Sequence, residues 1–128
     1  MDNLFIKNTK TTPEINFNSK NHILEIRGSS YPENISEFYG QVFSWLNEYL
    51  EFIDDQNINV NIDLVYFNST SSKVFMDLFD LLDEAVNEGK NINIKWYYDE
   101  DDTDSLEFGE EFQDNLESIK MEFVPKNV

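Results

Sequence analysis

A change of hydrophobic period within one short stretch constrains this chain more than anything else in it. Ile58, Val60, Ile62 and Leu64 alternate with Asn59, Asn61 and Asp63, the pattern of a strand with one buried face. A few residues on, Val74, Leu78, Leu81, Leu82 and Ala85 recur at the three-and-four spacing of a helix packed on a core. A strand feeding directly into a helix predicts an α/β domain whose helix-linked strands are parallel and whose crossovers are right-handed. Between the two patterns Asn68 precedes four consecutive hydroxyls, Ser69, Thr70, Ser71 and Ser72, and then Lys73. One side chain is enough to cap one helix. The surplus hydroxyls make this corner a candidate phosphoacceptor loop, because added negative charge would meet the positive end of the helix dipole.

The flanking segments extend the same architecture. Leu4 to Ile6 is a short apolar patch, and Pro13 suits the start or edge of a strand. Ile15 and Phe17, then Leu24 and Ile26, alternate on either side of the polar loop Asn18 to Asn21, so the opening is expected to be antiparallel. Gly28 to Glu33 reads as a stop followed by cap candidates, with Pro32 suited to a first helical turn. Ile35, Phe38, Tyr39, Val42, Leu46, Tyr49, Leu50 and Ile53 then predict a long helix, with Trp45 and Phe52 on one edge of a wide apolar arc. Those two aromatics fit either a thick core or a partner surface. The second helix is expected to end at Glu88 before Gly89. Its arc also overflows: Phe75 lies at an edge and Met76 almost opposite the centre, within one turn of the hydroxyls, so both are candidate partner contacts. Asp77, Asp80, Asp83 and Glu84 form the wet side. A strand over Asn91 to Trp96, a helix including Leu106, Phe108, Phe112 and Leu116, and a last strand over Ile119, Met121 and Phe123 complete the order, with Pro125 closing it. The expectation is a single domain over 1–128: a mixed sheet with antiparallel N-terminal strands and helices mainly on one face.

Chemistry is scarce in this pattern. Nine basic against twenty-six acidic side chains leave a net charge of −17, which repels nucleic acid and anionic membranes and favours a basic protein surface as partner. With no cysteine and a single histidine, His22, neither a zinc site nor a hydrolase triad can be assembled. No Gly-rich phosphate loop is present. The acidic run from Asp99 to Asp104 lacks the glycine an EF-hand requires at its sixth position, where Asp104 stands, although Glu110 occupies the twelfth. A calcium or small-ligand module is therefore an alternative reading, and no metal or other cofactor is expected. No stretch is as apolar as a membrane span, and the start lacks a signal-peptide pattern, so a cytoplasmic protein acted upon by enzymes is expected, rather than an enzyme.

Thr9, Thr12 and Pro13; Ser30 to Asn34; Trp45 and Leu46; Tyr66 to Lys73; Trp96 to Asp99; and Glu107 with Gly109 to Phe112 form a spaced set of motifs. In that order they resemble the SiaC family of bacterial regulatory phosphoproteins. The resemblance implies a fold like the anti-anti-sigma (STAS) domains. It also implies a partner-switching adaptor, phosphorylated by a Ser/Thr kinase, restored by a PP2C-like phosphatase, and binding and activating a diguanylate cyclase when unphosphorylated. The family's usual corner reads Asn, Thr, Ser, Ser before the lysine, with the Thr as acceptor. The register puts Ser69 in that place, with Thr70 as the alternative. Asn68, Ser71, Ser72 and Lys73 then surround the acceptor, and Tyr31 and Pro32 join Phe75 and Met76 as candidate partner contacts. An adaptor of the same kind with another client, such as an anti-sigma kinase, is the competing reading.

Overall fold

The structure, a computed structural model, describes residues 1–126. The elements run β1 (Leu4–Ile6), β2 (Glu14–Asn18), β3 (Ile23–Ser30), α1 (Ile35–Phe52), β4 (Asn57–Phe67), α2 (Ser69–Asn87), β5 (Asn91–Asp99), α3 (Thr103–Asp114) and β6 (Met121–Lys126). They build one six-stranded sheet whose strand order equals the chain order. β1, β2 and β3 are antiparallel, and β3 through β6 are parallel. Successive neighbours joined by crossovers of one hand place all three helices on the same face. That explains the alternation: Ile58, Val60 and Ile62 are buried beneath the helices, while Asn59 lies exposed on the open face.

Local chemistry fixes the opening hairpin. The Asn18 side chain accepts from the backbone N–H groups of Lys20 and Asn21, both at 3.0 Å, closing the turn. His22 follows at φ 58° and contacts the Tyr49 hydroxyl through Nδ1 at 2.7 Å, a packing role. Trp45 also packs inward: its indole N–H donates to the Asp2 carbonyl at 2.9 Å and its ring stacks on Tyr49 at 4.7 Å. The thick-core account therefore holds for Trp45, whereas Phe52 is exposed.

Several boundaries differ from the sequence expectation: α3 ends at Asp114, short of Leu116, and β6 begins at Met121, after Ile119. Gly28 does not stop β3. At φ +117° it passes a register shift, and the strand continues to Ser30, which is wholly buried rather than a cap. Asn34 caps α1, accepting from the Glu37 N–H at 3.0 Å, so Pro32 precedes the helix instead of lying in its first turn. Pro125 belongs to β6, opposite Tyr98, where an edge strand tolerates the missing donor. No helix among the described residues is long and apolar enough to cross a membrane.

One carboxylate of the wet side of α2 proves structural. Asp83 accepts from the backbone N–H groups of Glu117, Ser118 and Ile119 at 3.2, 2.8 and 2.8 Å, pinning the turn into β6. Burial pushes its pKa up, but the three donors together outweigh it and hold the carboxyl below its usual range. A carboxylate depressed in the folded state contributes stability that is complete above its unfolded pKa and lost as pH falls through the folded one. Asp83→Ala is accordingly expected to cost about 1 kcal/mol at neutral pH, with the deficit shrinking below roughly pH 4. Urea unfolding of both proteins across that range measures it, and a deficit that ignores pH would refute the assignment.

Candidate functional site

The corner between β4 and α2 is held from three directions. Asn68, with extended backbone, donates its N–H to the Ser30 carbonyl at 3.2 Å and accepts from the Ser71 N–H at 2.9 Å through its side chain. The first link continues the β3–β4 pairing, and the second is an ordinary N-cap. Beneath it the Ser71 hydroxyl, 0% exposed, meets the Ser30 hydroxyl at 2.8 Å, which in turn meets the Tyr39 hydroxyl at 2.5 Å. Burial pushes the Tyr39 pKa up to about 12, with the Ser30 bond pulling the other way, so the phenol stays protonated and the chain of hydroxyls neutral.

The four hydroxyls therefore divide. Ser71 is internal, Ser72 half-buried, and Ser69 and Thr70 exposed. Ser69 and Thr70 are also the first two residues of α2, and their N–H groups have no acceptor among the described residues. Helical spacing separates the two. Ser69, Ser72, Met76, Phe79 and Asp83 share one flank, and that flank faces α3, because Phe79 contacts Phe112 at 5.1 Å and Asp83 holds the turn beyond it. Thr70 shares the other flank with Val74 and Leu81, and Leu81 borders α1 beside Leu50.

The candidate partner contacts divide as well. Tyr31 is half-buried and meets Tyr66 edge-on at 5.6 Å, so β3 and β4 end in a joined aromatic pair beside the corner. Pro32 lies at a shallow cleft of about 330 Å3 with Thr11, Asn34 and Phe38. Met76 is half-buried on the α3 flank. Phe75 is 0% exposed and touches the rings of Tyr39 and Phe67, so it is a core residue and cannot contact a partner. Its place at the edge of the apolar arc misleads, because α2 is buried on both sides by neighbouring helices.

Sequence reasoning passed over the most exposed apolar residues here. Val65 is 76%, Tyr66 55% and Phe108 46% exposed, and they line one cleft of about 280 Å3 with Leu64, Phe67, Asp102 and Asp104. The signal was available: Leu64 to Phe67 is an unbroken apolar run where alternation calls for polar residues. The register explains the rest, since Gly28 pairs with Leu64 and Ser29 with Tyr66, leaving Val65 bulged outward.

Two carboxylates of the acidic loop beside this cleft are committed to its own backbone. Asp99 accepts from the Asp101 N–H at 2.9 Å, and Asp102 caps α3 by accepting from the Asp104 N–H at 3.1 Å. Among the described residues no group of three or more His, Asp or Glu side chains is placed to hold a metal ion.

Comparison with known proteins converges on one group. Residues 6–126 match the family model described as SiaC family regulatory phosphoprotein. An uncharacterized protein of Pseudomonas aeruginosa (strain UCBPP-PA14) is 36% identical over 116 residues, covering 90% of each chain. The crystal structure of apo-SiaC from Pseudomonas aeruginosa superposes with a TM-score of 0.85 at 32% identity, covering 99% of this chain and 100% of that one. SiaC in the crystal structure of the diguanylate cyclase SiaD with its activator SiaC, from the same species, gives 0.90 at 32% identity over 96% and 99%.

Proposed function

Since the chain belongs to the SiaC family of regulatory phosphoproteins, we propose that it is a phosphate-switched adaptor whose unmodified form binds and activates a diguanylate cyclase. A Ser/Thr kinase and a PP2C-like phosphatase, working in the cytoplasm where ATP is supplied, set its state. The observation that carries this reading is the exposure of Ser69 at the start of α2, above a corner held by the Asn68 cap and the Ser71–Ser30 hydroxyl bond. The related SiaC is described as the activator of SiaD, and it shares this fold along nearly its whole length.

The Ser69 hydroxyl accepts the γ-phosphoryl group of ATP in the kinase, giving ADP and a proton. Phosphatase hydrolysis returns the hydroxyl and inorganic phosphate. The phosphoryl group adds roughly 1.5 to 2 negative charges at neutral pH. In the free protein those charges meet the unbonded N–H groups of Ser69 and Thr70 and the side chain of Lys73 one turn on, so the modified chain stays folded. At an interface the same group must be desolvated, which disfavours binding unless the partner supplies positive charge there.

Intact-mass measurement after incubation with the kinase tests the acceptor. Wild type and Thr70→Ala are expected to gain one phosphate, and Ser69→Ala none, while Ser69→Ala keeps activating the cyclase under phosphorylating conditions. Incorporation that persists in Ser69→Ala and vanishes in Thr70→Ala would move the acceptor to Thr70.

A further inference from the structure

Among the described residues, three of the six exposed large hydrophobics, Val65, Tyr66 and Phe108, converge on the cleft at the end of β4. The other three, Phe5, Ile23 and Phe52, lie on separate elements: β1, β3 and the last turn of α1. A soluble domain rarely gathers such side chains at one place without a partner to cover them. Leu64 and Phe67 form the apolar base, Phe108 stands across from Val65 and Tyr66, and Asp102 and Asp104 rim the α3 side. Asp102 spends part of its carboxylate on the α3 cap, whereas no hydrogen-bond or ion-pair partner of the Asp104 carboxylate is found among the described residues. The opposite side adjoins the start of α2 through Phe67, two residues before Ser69, where free N–H groups and the helix dipole are positive.

We infer that this cleft is the docking point for the client, and that it receives an apolar side chain flanked by Lys or Arg. The inference rests on the adaptor reading above and names the surface and the partner chemistry that reading leaves open. Charge complementarity selects the occupant: a carboxylate rim on a chain of net charge −17 attracts a cationic flank and repels an acidic one. The apolar base supplies the desolvated contact on which affinity depends. The arrangement also explains how a phosphate on Ser69 acts. It sits on the α2 side, two residues from Phe67, where a client closing over the cleft has to desolvate it.

Titration of the full chain into the purified diguanylate cyclase of the same organism, at low and high salt, tests the inference. Val65→Lys sets a cation against the client's cations at a solvent-exposed position, and Phe108→Ala removes the facing wall. Each is expected to weaken binding about tenfold or more. The double variant Asp102→Asn with Asp104→Asn keeps a competent α3 cap and is expected to flatten the salt dependence. Unfolding midpoints recorded alongside show that Val65→Lys acts on a folded chain. Undiminished binding by Val65→Lys would overturn the cleft assignment while leaving the adaptor reading intact. An unchanged salt dependence in the double variant would overturn the cationic flank. Failure of wild type to bind would overturn both readings together.

Discussion

Ser71→Asp is expected to destabilise the chain by at least about 3 kcal/mol, a large share of the roughly 5–15 kcal/mol that holds a domain of this kind together. Two residues earlier, Ser69→Asp is expected to leave stability unchanged or raise it by about 0.3–1 kcal/mol. The contrast follows from position alone. The Ser71 hydroxyl is 0% exposed and bonded to Ser30, itself bonded to Tyr39, so a carboxylate there is buried without a cation to pair with. Ser69 opens the same helix but faces water at its positive end. A buried carboxylate has its pKa raised, so the deficit of Ser71→Asp should be greatest at neutral pH. It should shrink as pH falls through that raised value toward the ordinary one near roughly 4. Urea unfolding of both variants at several pH values is the measurement. Equal midpoints for the two would mean that the buried hydroxyl chain does not exist in solution.

This division of labour among neighbouring hydroxyls shows where sequence reasoning reaches and where it stops. The β4 alternation and the α2 stripe each carry their own period, so element type, strand direction and the one-faced layering were readable from Ile58 to Ala85. The hairpin was readable too, because Asn18 closes its turn within three residues. What failed depends on partners distant in the chain. Ser30 looked like a helix cap because nothing nearby announces that Ser71, 41 residues on, will bond to it. Asp83 looked solvated because the amides it holds lie 34 to 36 residues ahead. The outward bulge at Val65 depends on the register of β3 against β4, which neither strand specifies alone. At the site, the run of four hydroxyls beside the Asn68 cap was legible, because a cap and its neighbours are a local signal. The apolar cleft next to it was not, because its two walls come from β4 and α3.

The same limit separates Phe75 from Phe108, and mutation separates them in solution. Phe75→Ala is expected to cost about 3–5 kcal/mol, because the ring is 0% exposed and its removal leaves a cavity between α1, α2 and the end of β4. Phe108, nearly half exposed, should cost far less when truncated. Binding is expected to respond in the opposite sense. At temperatures where both variants are folded, Phe108→Ala loses affinity for the client directly, whereas Phe75→Ala loses it only as far as Phe67 relaxes into the vacated space. Phe67 is the link, since its ring touches Phe75 at 5.9 Å on one side and Phe108 at 5.2 Å on the other. A Val or Leu at position 75 should recover part of the stability by refilling the cavity, and with it the cleft floor. Thermal unfolding and client titration on the same samples decide the matter. A Phe75→Ala protein with an unchanged midpoint and a specific binding defect would put that side chain at the surface and reverse the packing assigned here.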